Sequence, residues 1–294
     1  MERDKSLDIL RAFAILFVIF GHITHVSELR QYIWGFHIPL FFAISGFLFN
    51  QEKYGSLRVF LKAKIKALVV PYVFFYVITL VYWIVVESRI RSGGVTWYME
   101  LMGMVYGTYS LKYMFFNGAL WFMPCLFSIE LLYWFIAKMN CSWLIFVVLI
   151  IFNVLGISFV DYLYWLPWGL NAAMIGLIFF GLGNLIKSKK EFIAELKWYY
   201  WGGIIVSASV LQFFTFGYSH TDLASLSFSN PFLYVPVALI GIVLYFSIAK
   251  IIKKNFFLEW LGKNTLVLFA LQEPVYRAVL GASAKILHID VEII

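Results

Sequence analysis

The stretch Ser6-Leu7-Asp8-Ile9-Leu10-Arg11-Ala12-Phe13-Ala14-Ile15-Leu16-Phe17-Val18-Ile19-Phe20-Gly21-His22-Ile23-Thr24-His25 decides the class of this protein. From Leu7 onward it is long and apolar enough to cross a bilayer as a helix, yet it keeps Asp8, Arg11 and His22. An ionisable group inside a span costs about 2.5–3.5 kcal/mol even on the lenient insertion scale, so each one asks for a role. Eleven helical steps separate Arg11 from His22, which comes within about 20° of three full turns. The two side chains therefore share a face, about 16 Å apart along the axis. Asp8 lies three residues before Arg11, at ion-pairing distance on a helix. His22 has no such local partner, so its partner must come from another helix.

The second apolar run, Gln31 to Asn50, supplies one. It carries Phe36-His37-Ile38-Pro39 and later Ser45-Gly46. Two antiparallel helices joined by a short loop place His22 and His37 near the same end of the pair. A proline near a span's start can widen the helix entrance and free carbonyls.

Composition agrees with a membrane protein. The chain has 294 residues, 63% of them hydrophobic and 13% charged, with mean hydropathy +0.86. A soluble domain averages about 25% charged residues. Recurrent apolar runs demand helices, because a bilayer offers no water to backbone N–H and C=O groups. The expectation is an all-α, polytopic transmembrane bundle, one integral-membrane domain over 1–294. Nine runs read as spans: 7–25, 32–50, 67–87, 119–137, 142–160, 168–186, 198–217, 231–252 and 264–287. A tenth, 97–116, is interrupted by Gly103, Gly107, Ser110 and Lys112, giving nine to ten in all.

The net charge of +7 fits the positive-inside bias more simply than nucleic-acid binding. Arg3 and Lys5 precede the first run, and Lys53, Arg58, Lys62, Lys64 and Lys66 follow the second. Placing both groups inside puts the N-terminus in the cytoplasm and His22 and His37 towards the outer half. The third run leaves near Glu87, Arg89 and Arg91. If 97–116 does not cross, Lys138, the lysines at 187–197 and Lys250, Lys253 and Lys254 also fall inside, and 218–230 falls outside. The bias thus favours a re-entrant or surface-lying 97–116. Cys125 and Cys141 form neither a disulfide framework nor a metal cluster, and Asn140-Cys141-Ser142 is only a formal glycosylation sequon. The first run is too long for a cleavable signal peptide and lacks a small-residue cleavage site. No P-loop, dinucleotide fingerprint, zinc spacing or Gly-x-Ser-x-Gly elbow is present, so kinase, redox and zinc-hydrolase chemistry gain no support.

Arg11, ten intervening residues, His22, and then Phe36-His37-Ile38-Pro39-Leu40-Phe41-Phe42-Ala43-Ile44-Ser45-Gly46-Phe47 resemble the opening of the acyltransferase 3 family. The nearest branch is that of fucose 4-O-acetylases and polysaccharide O-acyltransferases. Leu120-Trp121-Phe122-Met123-Pro124 with Glu130, and Gly262-Lys263-Asn264-Thr265-Leu266, resemble later family segments. Where the family often carries a histidine near the end, this chain has Gln272. The resemblance implies a multi-pass enzyme of the plasma (inner) membrane. Its acyl donor would be a coenzyme A thioester, acetyl-CoA most simply and succinyl-CoA as an option, with no metal. Its acceptor would be the hydroxyl of a cell-envelope or exported sugar.

Each candidate has two readings. His22 is a general base or transient acyl carrier, or else a histidine bonded between helices. His37 is a second active-site imidazole, or a cap at a helix start. Arg11 meets a donor phosphate, or anchors the span beside Asp8. Lys62, Lys64 and Lys66, before Val69-Val70-Pro71-Tyr72, handle acyl-CoA as their family counterparts are implied to, or merely obey the charge bias. Glu130 pairs with a basic group or moves a proton, or else snorkels. Glu273 pairs locally with Arg277 four residues on. Asn171 bonds across helices. The rival reading is a transporter or flippase using the same Arg, His and Glu as a substrate or proton path. It lacks the internal repeat and paired broken helices such folds show.

Overall fold

Asp4 starts the first helix, α1 (Lys5–Ile23), by accepting the backbone N–H of Ser6 at 3.0 Å and its hydroxyl at 2.6 Å. The computed structural model describes residues 4–89, 96–109, 113–158, 160, 166–218, 221–252 and 254–287. Arg3, Arg91, Ser110, Lys112 and Lys253, used in the sequence argument, lie outside the described residues.

The second apolar run is two helices, α2 (Ser27–Trp34) and α3 (His37–Leu48), divided at Gly35-Phe36. Pro39 accounts for the break. As third residue of α3, its missing N–H falls among the donors a helix start leaves unpaired. A continuous helix would have lost a hydrogen bond there.

The third run begins earlier than expected. α4 (Leu57–Lys64) passes through a π-helical turn, Ile65–Val69, into α5 (Val70–Val85). Pro71 cannot donate to the carbonyl four residues back, and its ring crowds that turn. The wider turn, in which the Val70 N–H bonds the Ile65 carbonyl, absorbs the defect. Among the described residues of 97–116 the α-helix is α6 (Trp97–Tyr106), stopped by Gly107 in the left-handed conformation at φ 68°. Ten residues rise about 15 Å, half a hydrocarbon core.

The remaining helices are α7 (Phe122–Ile136), α8 (Ser142–Ser158), α9 (Leu170–Lys187), α10 (Lys190–Glu195) and α11 (Trp198–Thr215). A two-stranded antiparallel hairpin follows, β1 (Thr221–Asp222) with β2 (Ser227–Phe228). Then come α12 (Pro231–Ile252), α13 (Phe256–Lys263) and α14 (Thr265–Leu287). Among the described residues six stretches are long and apolar enough to cross a membrane: Lys5–Ile23, Ser27–Leu48, Leu57–Arg89, Gly118–Met139, Pro167–Lys187 and Pro231–Ile252. Helices of 17, 18 and 23 residues occupy the other three expected positions.

α3 packs against α1, α9 and α12, and α9 also packs against α7 and α8. A side chain at Gly46 would strike the Phe180 backbone, and one at Gly183 would strike the Ala43 backbone. Small residues let apolar helices touch backbone to backbone in a bilayer. The frayed end of α3 is satisfied from α9. Asn184 donates to the carbonyls of Gly46 (3.0 Å) and Phe49 (3.1 Å), accepts from Tyr133 (3.0 Å), and is joined by Lys187 on Phe49 (2.6 Å). On the periphery Phe74, Val81, Val154, Phe213 and Phe214 are exposed along α5, α8 and α11. Contiguous apolar surface of this kind suits acyl chains rather than water.

Candidate active site

His22 ends α1 and His37 begins α3, and both line one cavity of about 220 Å³. The short α2 between them turns the chain back. Trp34 ties that turn to α1 by donating to the Gly21 carbonyl at 3.3 Å. The His37 Nδ1 lies 2.9 Å from the Ile33 carbonyl. A carbonyl only accepts, so Nδ1 carries the proton and Nε2 is the basic nitrogen of the neutral ring. His37 is buried and His22 is exposed to the cavity.

Gly118, Ala119 and Trp121 also line this cavity, and the segment that carries them, 114–121, is held by carboxylates. Glu100, fully buried, accepts the backbone N–H groups of Met114 (2.8 Å) and Phe115 (3.0 Å). Tyr76 donates to the Glu100 carbonyl at 2.6 Å. Glu273 takes the Ala119 N–H at 3.1 Å with one oxygen and Arg277 at 2.7 Å with the other. Arg277 also pairs with Glu87 at 2.6 Å and donates to the Phe116 carbonyl. The local Glu273–Arg277 pair foreseen from the sequence is thus one part of a network that fixes this segment. Glu273, Tyr109, Trp34, Trp121 and Asp222 complete the lining, and the hairpin residues Thr221–Ala224 cover it.

Arg11 pairs with Asp8 at 3.4 Å and lines a second cavity of about 280 Å³ with Ser45, Leu68, Lys263 and Thr265. Lys263 also lines a third, open cleft of about 860 Å³, with Lys5, Lys197 and Lys250 on its rim and Glu259 and Trp201 within. Along α1, Lys5 and Asp8 thus face the cleft, Arg11 the second cavity, and Val18 and His22 the first. Gly262 allows this arrangement, since a side chain there would strike the Asp8 backbone.

The lysine run is divided. Lys64 pairs with Glu130 at 2.7 Å, with Phe49, Tyr54 and Phe60 around its ammonium. Lys62 and Lys66 are exposed, and none of the three is among the residues lining these cavities. Asn171 is buried, its side-chain oxygen accepting from the neighbouring Ala172 N–H. Sequence reasoning missed Glu100, Asp222, Tyr109 and Trp34. Glu100 alone carried a signal, a carboxylate within an apolar run.

An apolar helical bundle with several stretches able to cross a bilayer fits a multi-pass membrane protein, here with an imidazole-lined cavity and a separate pocket at Arg11. The model of the acyltransferase domain family matches residues 4–287, and the chain belongs to that family, acyltransferase 3. It is therefore placed among membrane acyltransferases rather than transporters. No curated protein and no solved structure matches it.

Proposed function

We propose that this protein is an O-acyltransferase of the plasma membrane, with its N-terminus in the cytoplasm. It would move an acyl group, acetyl in the first instance and succinyl as an option, from a coenzyme A thioester to a hydroxyl of a cell-envelope or exported sugar. The branch of sugar and polysaccharide O-acetylases is the nearest in motif. The observation that carries the reading is that His22 and His37 share a cavity next to the pocket of Arg11.

The acceptor hydroxyl loses its proton to His22 as its oxygen attacks the thioester carbonyl. The carbon–sulfur bond then breaks, the proton passes to the departing sulfur, and an ester and free coenzyme A thiol result. A two-step route through acyl-His22 balances in the same way. His37, with Nδ1 held by Ile33, orients the acceptor or the first imidazole.

For the donor, Arg11 offers a planar fork and Lys263 a point charge suited to phosphates. Lys5, Lys197 and Lys250 line the neighbouring cleft together with Asp4, Asp8 and Glu259, and Lys250 pairs with Asp4 at 3.2 Å. This reading favours the α1–α13 seam over the Lys62–Lys66 run, because Arg11 and Lys263 line a cavity whereas Lys62, Lys64 and Lys66 line none of the three.

The test uses protein in nanodiscs with acetyl-CoA labelled in the acetyl group and a mixture of envelope glycans. Labelled ester in the glycans with an equal amount of free thiol is the expected result. No ester from acetyl-CoA or succinyl-CoA, together with no binding of either, would overturn the reading.

A further inference from the structure

The two cavities along α1 do not simply join. Phe269 lines both of them. Its ring meets Phe122 at 5.1 Å and Phe41 at 6.2 Å, and those two meet each other at 5.6 Å. All three rings are buried. They form a closed triangle drawn from α3, α7 and α14; all three line the arginine pocket, and Phe269 also lines the histidine cavity.

The backbone beside Phe269 is built to give. Pro274 lies inside α14 and has no N–H, so the Ala270 carbonyl loses its intrahelical partner. The side chain of Asn117, fully buried in the segment 114–121, donates to that carbonyl at 2.8 Å. The turn carrying Phe269 is therefore held partly by a side chain from another segment. Prolines inside helices are the usual seat of kinks and of local adjustment.

We propose that Phe269, with Phe41 and Phe122, is the partition between the arginine pocket and the histidine cavity, and that it sets the size of acyl group transferred. The partition is inferred from ring geometry alone; its effect on acyl size rests on the function proposed above. A thioester lying in the arginine pocket must carry its acyl carbon past the Phe269 ring to reach His22. Acetyl passes with a small displacement, whereas a four-carbon group such as butyryl or succinyl needs the ring removed, so of the two donors left open above the partition favours acetyl-CoA.

Two measurements test the two halves separately. For the partition, Cys141→Ser protein, which keeps the buried Cys125, receives either Ala224→Cys in the histidine cavity or Ser45→Cys in the arginine pocket. Sealed vesicles are treated with an impermeant thiol reagent from the side that labels Ala224→Cys. The expected result is that Ser45→Cys resists labelling from that side and becomes reactive when Phe269→Ala is added. Equal labelling of Ser45→Cys with Phe269 intact overturns the partition, whatever the substrate. For selectivity, turnover of butyryl-CoA relative to acetyl-CoA should rise by about tenfold or more in Phe269→Ala, the scale on which pocket size discriminates methylenes. Phe269→Leu serves as the milder variant should alanine unfold the protein, and a smaller rise is expected there. An unchanged ratio in an active variant overturns the size role. Loss of all thioester turnover by the unsubstituted protein would instead count against the proposed function, leaving the labelling result to stand by itself.

Discussion

Lys64 and Glu130 meet at 2.7 Å in a setting that gives neither another charged partner nearby in the described contacts. Removing one of a buried pair strands the other, and costs about 3–5 kcal/mol, much more than an exposed pair. Lys64→Met or Glu130→Leu alone should therefore lower the melting temperature in detergent markedly. The two together should recover most of the loss, because the stranded charge is gone. Single substitutions without thermal effect would show that the pair is not the structural joint described here. The same variants separate structure from donor binding, since the double variant should keep its KM for the acyl donor. At this scale the sequence exposed the participants but not the pairing. Glu130 was evident as a carboxylate in an apolar run, and Lys64 as one of a run of lysines. That they face one another across 66 residues depends on the π-helical turn after Lys64 and on how α4 meets α7.

At the scale of elements, the contact between α3 and α9 depends on what Gly46 and Gly183 lack. Each would place a side chain against the other helix's backbone, where there is no flexible atom to yield. Gly46→Ala should destabilise by about 1–3 kcal/mol, the usual cost of overpacking. Gly46→Leu should prevent assembly of the bundle, read as loss of a monodisperse peak in detergent. A well-behaved Gly46→Leu protein would contradict the close packing. Elements were the most legible level of this chain. Apolar runs located the helices to within a few residues, as at 231–252, where the helix is Pro231–Ile252. The failures have a common cause. Pro39 divides a run that looks continuous by hydropathy, whereas Pro71 is carried through by a π-helical turn that lets the third helix begin at Leu57; hydropathy registers neither a missing N–H nor the turn that absorbs it. The hairpin at 221–228 has too few residues to show alternation, so its place over the histidine cavity was not readable.

Across the whole molecule, α1 runs past three cavities in turn: the lysine-rimmed cleft, the arginine pocket and the histidine cavity. The sequence already placed Arg11 and His22 on one face, about 16 Å apart, and brought His37 to the same end. It left open which basic groups serve the donor, because positive-inside lysines and phosphate-binding lysines look alike in composition. Under the proposed function they are separated by what they line. Lys263→Glu should raise the KM for acetyl-CoA by about tenfold, the loss of one charge-assisted contact, and leave kcat nearly unchanged. Lys62→Glu, on an exposed face, should change KM much less. The reverse ranking would return the donor to the Lys62–Lys66 run.

The central claim is that His22 performs the transfer. Its most direct test is coenzyme A thiol release from acetyl-CoA by purified protein in nanodiscs, with envelope glycans as acceptor, for the native chain and for His22→Ala. His22 is exposed to the cavity, so its removal should leave the melting temperature unchanged. Glycan-dependent thiol release should fall by about two to four orders of magnitude in the folded variant. Undiminished release by folded His22→Ala would contradict it.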